Sequence, residues 1–284
     1  MAYTTSIFLP NFSSERLADF PRVLEPLLLR DDVLYYDGPY NSDSSRQVRP
    51  ATEQELALVH SASMIELVKQ TPDYEGAAYS AGATVQAALS AAESTTRNAF
   101  VFTGFGDHHA GRDFFGGGCY FNGATIAIAV LRAKTTLRRF AILDTDAHHA
   151  DGTRDIAGCD TEVLHVCFCS QDYHDSFGNV DVPYPSVPSV EEYVQLVHKE
   201  FGGRVHEFRP EMIFWEFGYD STRGDYGDRG VASDSHWRTA RAMVDIADNV
   251  CDGRLVVILC GGSRRDYARK IIPPVIRELA THRI

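Results

Sequence analysis

Hydrophobic positions fall into short, fully apolar runs that alternate with longer amphipathic stretches along the chain. Such runs, of about four to eight residues, predict buried strands, and apolar positions repeating every three or four residues predict helices. The predicted strands span residues 99–103, 140–144, 163–169, 212–217 and 254–260. The predicted helices span 53–69, 81–92, 124–133, 190–201 and 235–250, with a further helix after Ser263. This alternation predicts a central, mostly parallel sheet covered by helices on both faces, which is an α/β fold.

Histidines and carboxylates are concentrated directly after two of the predicted strands. Residues 106–110 read Gly-Asp-His-His-Ala, and residues 144–151 read Asp-Thr-Asp-Ala-His-His-Ala-Asp. Because Asp146 and His148 are two positions apart, an extended segment points both side chains to the same side, where they can bind one cation. One His-His pair alone is often a surface or core feature. Two such pairs with interleaved acids, at the strand ends where α/β proteins bind ligands, indicate a metal-dependent hydrolase.

A third acidic segment, 218–228, follows the apolar run 212–215 and begins Gly218-Tyr219-Asp220. Taken alone, it is typical of a Gly/Asp turn with solvated charges. One of its carboxylates would complete an Asp/His/Asp ligand set and leave a coordination position open for water and substrate.

These motifs, in this order, resemble the zinc-dependent histone deacetylases and acetylpolyamine amidohydrolases of the arginase/deacetylase superfamily. The resemblance covers most of the chain and rests on six segments: 51–60, 106–122, 144–152, 208–213, 218–220 and 261–262. It implies a single domain over 1–284 with a three-layer αβα arginase/deacetylase-like fold. The metal site is then expected at the carboxyl edge of the sheet.

The resemblance also implies roles for individual residues. The expected zinc ligands are Asp146, His148 and Asp225, the last preferred to Asp220 because the family ligand is taken to lie several residues beyond the Gly-x-Asp turn. The expected catalytic residues are His108, His109, Asp144 and Asp151. Each of these two carboxylates would fix the tautomer of one imidazole and raise its basicity. His109 is the expected general base and acid, and His108 the electrostatic helper.

One departure from the family pattern concerns the polarisation of the substrate carbonyl. Most active deacetylases of the family have a tyrosine directly after the last glycine pair, and Ser263 stands there in this chain. Losing such a donor typically costs a factor of ~10² to ~10³ in turnover. Arg264, Arg265 or Tyr267 could replace it, or the arginines could be solvated and the tyrosine packed as a helix residue. Weak turnover of ordinary acetamides, or a preference for activated or unusual acyl groups, is therefore expected.

Further departures affect the expected substrate channel and a structural ion. The expected channel residues are Gly117, Gly118, Phe177, Gly262, Ser263 and Arg264. Gly118 stands where the family often has a phenylalanine, which predicts a wider channel. The family also has a structural potassium ion near strand 163–169, where Cys167 replaces a serine.

Composition narrows the class of protein and its substrates. The net charge of −12 argues against a nucleic-acid surface and is compatible with cationic amines. The first ten residues lack a signal-peptide pattern, and no run approaches the ~20 apolar residues of a membrane span. Six cysteines without CxxC spacing indicate reduced thiols. These features predict a cytoplasmic enzyme that does not contact membranes.

The expected function is that of a zinc-dependent amidohydrolase that removes an acetyl-like group from a lysine or polyamine-type amine by attack of metal-bound water. Iron(II) is accepted by the same type of ligands. A catalytically weak or inactive protein that binds acylated amines is the alternative, because of Ser263. A manganese ureohydrolase of the arginase branch is a third and more distant hypothesis. The sequence leaves the acyl group, the amine and the oligomeric state open.

Overall fold

A single mixed sheet forms the centre of the molecule. The structure, a computed structural model, describes residues 4–10, 14–38, 42–185 and 187–281. The strands are β1 (Thr5–Leu9), β2 (Val33–Asp37), β3 (Asn98–Val101), β4 (Phe140–Asp144), β5 (Val163–Cys169), β6 (Tyr173–His174), β7 (Asn179–Pro183), β8 (Met212–Phe217) and β9 (Leu255–Leu259). They form a nine-stranded sheet in the order β2-β1-β3-β9-β8-β4-β5-β7-β6. Every described strand pair is parallel except β6 with β7. The prediction of an α/β fold with a mostly parallel sheet is confirmed.

Helices connect most of the strands. They are α1 (Glu25–Leu28), α2 (Glu53–Leu56), α3 (Ala62–Lys69), α4 (Tyr74–Ala92), α5 (Gly123–Lys134), α6 (Asp151–Ala157), α7 (Val190–Val197), α8 (Gly203–Phe208), α9 (Ser233–Val250) and α10 (Arg265–Leu279). Short 3₁₀ turns lie at Glu15–Leu17, Arg22–Leu24 and Ser44–Arg46, and a π-helical turn at His198–Gly202 joins α7 to α8.

The predicted helix 53–69 is wrong in one respect, because it is divided into α2 and α3. The hydroxyl group of Ser61 accepts a hydrogen bond from the backbone N–H of Met64 (3.3 Å), so Ser61 caps a new helix. The N–H of Ser61 donates to the carbonyl of Arg112 (2.9 Å), which holds the break against the rest of the molecule.

Alternate residues of the central strands supply two separate hydrophobic cores. In β9, Leu255, Val257 and Leu259 belong to the core on one face of the sheet, and Val256 and Ile258 to the core on the other face. The first core packs beneath α7, α9 and α10, and the second beneath α3, α4 and α5. A strand that is buried on both faces has no polar alternation, which is why the apolar runs predicted these strands well.

Strands β1, β2, β6 and β7 were not predicted, since their sequences are short or partly polar. In β1, Thr5 and Ser6 are fully buried because their hydroxyl groups have partners inside the fold. The hydroxyl group of Thr5, for example, donates to Oδ1 of Asn98 (2.7 Å). A sequence pattern cannot show that such polar positions are paired in the core.

The sheet order determines where the candidate site forms. Strands β3, β9, β8 and β4 are consecutive neighbours. The loops at their carboxyl ends contain His108 and His109, the glycine pair 261–262, Asp220, and Asp146 with His148. Within the described ranges, no helix combines the length and apolar character needed to cross a membrane.

Candidate active site and metal centre

Three side chains from two loops converge at the carboxyl edge of β4 and β8. Nδ1 of His148 lies 2.9 Å from Oδ1 of Asp146 and 3.1 Å from Oδ2 of Asp220. Asp146 and Asp220 are buried, and the His148 side chain is 40% exposed. The cluster can therefore hold a cation between two buried carboxylates and one imidazole and still remain open to a ligand.

Asp220, rather than the predicted Asp225, lies with Asp146 and His148. Asp220 follows the end of β8 by three residues, so the turn keeps its carboxylate at the sheet edge. Asp225 lies further along the loop, where its carboxylate accepts hydrogen bonds from the backbone N–H of Ser263 (3.1 Å) and Arg264 (3.2 Å). Its negative charge thus stabilises the start of α10.

The hydrogen bonds within the cluster leave negative charge that a divalent cation would neutralise. One hydrogen on Nδ1 of His148 cannot serve both carboxylates, and Oδ2 of Asp220 accepts no hydrogen bond from the residues that the structure describes. Burial, and then the charge of Asp146, raise the pKa of Asp220. Two adjacent buried carboxylates need a shared proton or a cation, and the O₂N donor set suits zinc.

The two predicted His/Asp pairs are present. Nδ1 of His108 lies 2.6 Å from Oδ2 of Asp144, and Nδ1 of His109 lies 2.5 Å from Oδ1 of Asp151. The two imidazole rings are adjacent, with centroids 4.2 Å apart. In each pair the carboxylate fixes Nδ1 as the protonated nitrogen, so Nε2 is the atom left to exchange a proton.

The two histidines have opposite electrostatic surroundings. Burial on its own lowers the pKa of His108, but the charges of Asp144 and Asp146 outweigh it and hold that pKa well above its usual value. Burial and the neighbouring His108 lower the pKa of His109, although Asp151 opposes them. His108 is therefore the more basic of the two imidazoles and His109 the less basic.

A cavity of ≈330 Å³ opens onto these groups. Its lining includes both histidines, Asp146 and His148, together with the predicted channel residues Gly117, Gly118 and Gly262. Two further lining residues, Arg16 and Tyr226, were not predicted. The guanidinium group of Arg16 donates to the carbonyls of Cys260 (2.8 Å) and Gly262 (2.7 Å), so it fixes the glycine loop that forms one wall.

Tyr226 lies directly beside the candidate metal ligands. Its ring stacks on that of His148, with centroids 5.5 Å apart and an interplanar angle of 19°. The residue is 61% exposed and lines the cavity together with Gly262. Tyr226 therefore presents a phenol to the cavity from the loop after β8, rather than from the loop after β9.

The other predicted channel residues lie elsewhere. The hydroxyl group of Ser263 donates to Oδ1 of Asp225 (2.8 Å), and Arg264 forms an ion pair with Asp266 (2.7 Å). Phe177 lines a separate cavity beside β7. None of these three residues lines the cavity beside the ligand cluster.

The alternative substitutes for the missing tyrosine are also engaged elsewhere. Arg265 forms an ion pair with Asp19 (2.7 Å), and the hydroxyl group of Tyr267 donates to the carbonyl of Arg223 (2.9 Å). Both residues belong to α10 and hold neighbouring segments in place.

Asp107 has a structural role that its sequence context did not indicate. Its buried carboxylate accepts hydrogen bonds from the backbone N–H of Gly123 and of Ala124 (3.0 Å), at the start of α5. It therefore ties the loop that contains His108 to the N-terminus of that helix.

Gly117 gives a direct test of how closely His109 must be positioned. A Cβ atom at Gly117 would lie 2.5 Å from Cδ2 of His109, whereas a Cβ at Gly118 meets nothing within 4 Å. Both residues have positive φ (58° and 79°), so alanine carries a similar backbone strain of about 1–2 kcal/mol at either position. We expect Gly117→Ala to reduce kcat by ~10²-fold, because displacement of a catalytic group by about 1 Å has that effect.

The matched variant for this test is Gly118→Ala. Unfolding experiments should show similar stability losses for the two variants, while steady-state kinetics should show the much larger loss of kcat in Gly117→Ala. Equal kcat values would contradict the proposed constraint on His109.

Comparisons with known proteins agree with this fold. The family model described as "Histone deacetylase domain" matches residues 73–279. The histone deacetylase-like amidohydrolase of Pseudomonas aeruginosa is 28% identical over an alignment of 266 positions, which covers 83% of this chain and 70% of that protein. The probable deacetylase of Archaeoglobus fulgidus is 30% identical over an alignment of 280 positions, which covers 87% of this chain and 77% of that protein.

Two further matches extend the comparison. The polyamine deacetylase HDAC10 of Danio rerio is 27% identical over an alignment of 283 positions, which covers 84% of this chain and 41% of that protein. The crystal structure of the HDA15 HD domain superposes with a TM-score of 0.81 at 21% identity, covering 98% of this chain and 90% of that chain.

The α/β sheet has an acid- and histidine-lined cavity at its carboxyl edge, and the relatives are named deacetylases or amidohydrolases. Together these findings identify an enzyme that acts on amides. The chain belongs to the histone deacetylase family. Membership implies deacetylase activity towards an acylated amine in general and a metal ion, typically zinc, for which the ligand cluster provides candidate groups.

Proposed function

We propose that this protein is a zinc-dependent amidohydrolase that removes an acetyl-like acyl group from a lysine or polyamine-type amine. The observation that carries the proposal is that one cavity is lined by Asp146 and His148 of the ligand cluster and by the imidazoles of both His/Asp pairs. The net charge of −12 is compatible with a cationic amine.

The metal ligands in this proposal are Asp146, His148 and Asp220. A zinc ion held there would polarise the amide carbonyl and lower the pKa of a water molecule to ~7. The protein's own groups would then transfer the protons. Nε2 of His109 takes a proton as the nucleophile attacks and returns it to the leaving amine, because Asp151 holds its Nδ1 hydrogen.

His108 acts electrostatically in this scheme. It is buried, its Nδ1 binds Asp144, and its Nε2 lies 3.6 Å from Oδ1 of Asp146. A protonated imidazole at this position stabilises negative charge that develops on the substrate oxygen and the ligand cluster.

Tyr226 is the proposed donor to the substrate carbonyl, in place of the tyrosine that is replaced by Ser263. It stacks on His148 and lines the cavity. Ser263, Arg265 and Tyr267 have other hydrogen-bond or ion-pair partners. A phenol delivered from the loop after β8 would restore the polarisation that the glycine loop no longer supplies.

We expect Tyr226→Phe to lower kcat by ~10² to ~10³-fold, since this is the usual cost of losing one donor to a developing oxyanion. The ring, its stacking on His148 and the bound metal should all be retained. Steady-state kinetics with an acetylated substrate, together with the zinc content, measure this directly.

The matched control is Tyr267→Phe, which removes a hydroxyl group bound to Arg223 rather than one at the cavity. It should leave kcat close to that of the wild type. If Tyr226→Phe is as active as the wild type, Tyr226 is not the donor, and this part of the proposal fails.

A binding protein that recognises acylated amines without hydrolysing them is the second candidate, because Ser263 is present. The two intact His/Asp pairs favour the enzyme, since binding alone does not require them. Hydrolysis of matched acetyl-lysine and trifluoroacetyl-lysine peptides distinguishes the two. Cleavage of both supports an enzyme in which another group replaces the missing tyrosine. Cleavage of the activated amide alone indicates deficient polarisation of the carbonyl, and binding without cleavage of either supports the binding protein.

A further inference from the structure

A second group of metal-binding side chains lies beside β5, separate from the Asp146/His148/Asp220 cluster. Cys167 and Cys169 are two residues apart in β5, so their side chains point to the same face of the strand. Asp181 of β7 pairs in register with Cys167. His149 comes from the loop after β4, which is the neighbour of β5. The sheet register therefore brings together two thiols, one carboxylate and one imidazole.

The distances in this Cys/Cys/His/Asp cluster are close to those between the ligands of a tetrahedral zinc ion. Nδ1 of His149 lies 3.8 Å from Sγ of Cys169 and 3.5 Å from Oδ1 of Asp181. All four candidate ligand atoms lie within 4.8 Å of one another. Tetrahedral zinc with Zn–S of ~2.3 Å and Zn–N or Zn–O of ~2.0–2.2 Å separates its ligand atoms by roughly 3.3–3.8 Å. A small contraction would close the site.

Charge and burial support a cation at this position. Cys167, Cys169 and Asp181 are buried, and Nη2 of Arg154 donates to Oδ1 of Asp181 (2.6 Å). Two thiolates and a carboxylate around a divalent cation leave one negative charge, which Arg154 neutralises. The buried assembly would be electrically neutral, with its carboxylate ligand held by an outer hydrogen-bond donor.

The ligand types select a soft or borderline metal. Thiolate ligands favour zinc, whereas magnesium, calcium and other hard cations prefer oxygen. A metal also has a route of entry, since the His149 side chain is 24% exposed and lines, with Arg154 and Asp181, a cavity of ≈460 Å³.

We propose that His149, Cys167, Cys169 and Asp181 form a second, structural zinc site. Four protein ligands leave no open position, as in other structural zinc sites. The bound ion would fasten the loop after β4 to β5 and β7. Because His149 is adjacent to His148, this site would position the segment that contributes a ligand to the candidate catalytic metal.

Titration of the metal-free, fully reduced protein with Co²⁺ tests this proposal. Thiolate ligation gives cobalt an intense near-ultraviolet charge-transfer band, and the Asp146/His148/Asp220 cluster contains no thiolate that could produce it. We expect the wild type to bind two equivalents, one of which produces the band. The same band should persist in Asp220→Asn, because this variant alters only the Asp146/His148/Asp220 cluster. Loss of metal from that cluster is therefore measured separately from loss of the thiolate site.

Three cysteine substitutions complete the experiment. The double variant Cys167→Ser/Cys169→Ser should lose the band and one equivalent of metal. The matched control is Cys251→Ser, which changes a buried cysteine far along the chain from the cluster, where its Sγ contacts the carbonyl of Arg254 (3.5 Å). This control should retain the band and both equivalents of metal. Absence of the band in the reduced wild type would overturn the proposal. Persistence of the band in the double variant would overturn it as well.

Discussion

Replacement of Asp220 by asparagine is expected to remove the catalytic metal and, with it, measurable hydrolysis. The carboxylate of Asp220 is buried beside that of Asp146 and contacts His148, so the substitution deletes one of the two negative charges that would hold the cation. We expect the loss of metal affinity to exceed the ~10–100-fold typical of an outer-sphere partner. Metal analysis after dialysis, together with initial rates, measures both effects.

Asp225→Asn is the matched control, because it makes the same chemical change in the same loop. Asp225 binds Ser263 and Arg264 rather than the ligand cluster. This variant should therefore retain the catalytic metal, although a shift of the loop before α10 can reduce its rate. Loss of metal from Asp225→Asn with full retention in Asp220→Asn would reverse the ligand assignment.

Replacement of His109 by alanine is expected to have the second large effect, a decrease in kcat of ~10² to ~10⁴-fold. The imidazole lines the cavity and is oriented by Asp151, and it is not one of the three candidate metal ligands. The zinc content and the binding of an acylated amine should therefore persist. Turnover under saturating substrate, measured beside the metal content, tests this expectation.

A suitable control for His109→Ala is His174→Ala, since His174 is exposed in β6. It should match the wild type in rate and metal content. Should His109→Ala turn over substrate at the wild-type rate, proton transfer must be assigned to another group. Should it lose its zinc, the lost activity would no longer report on proton transfer.

The central strands and the main site motif were predictable from the sequence because each has a strong local cause. Strand β4, for example, is apolar throughout up to Asp144, as expected for a strand buried on both faces. The two His/Asp pairs were assigned by resemblance to a family motif, and the structure brings the partners within hydrogen-bonding distance. These features depend on residues close together in sequence or on a specific motif.

The remaining features depend on contacts between distant segments. Asp220 and Asp225 both follow β8, and only the path of the loop shows that one carboxylate turns to His148 and the other to Ser263. Arg16 reaches the glycine loop from a segment 244 residues away in sequence. Tyr226 lines the cavity although no motif marks it. Spacing alone could not predict these contacts.

The most direct test of the account is acyl-group release by the purified protein before and after removal of its metal. The substrates are an acetyl-lysine peptide and an N-acetylated diamine, and the released acetate and free amine are both quantified. We predict stoichiometric release of both products by the zinc-loaded protein, loss of release after chelation, recovery on adding zinc, and no recovery in Asp220→Asn. Release that is unaffected by chelation and persists in Asp220→Asn would contradict a metal-dependent amidohydrolase built on Asp146, His148 and Asp220.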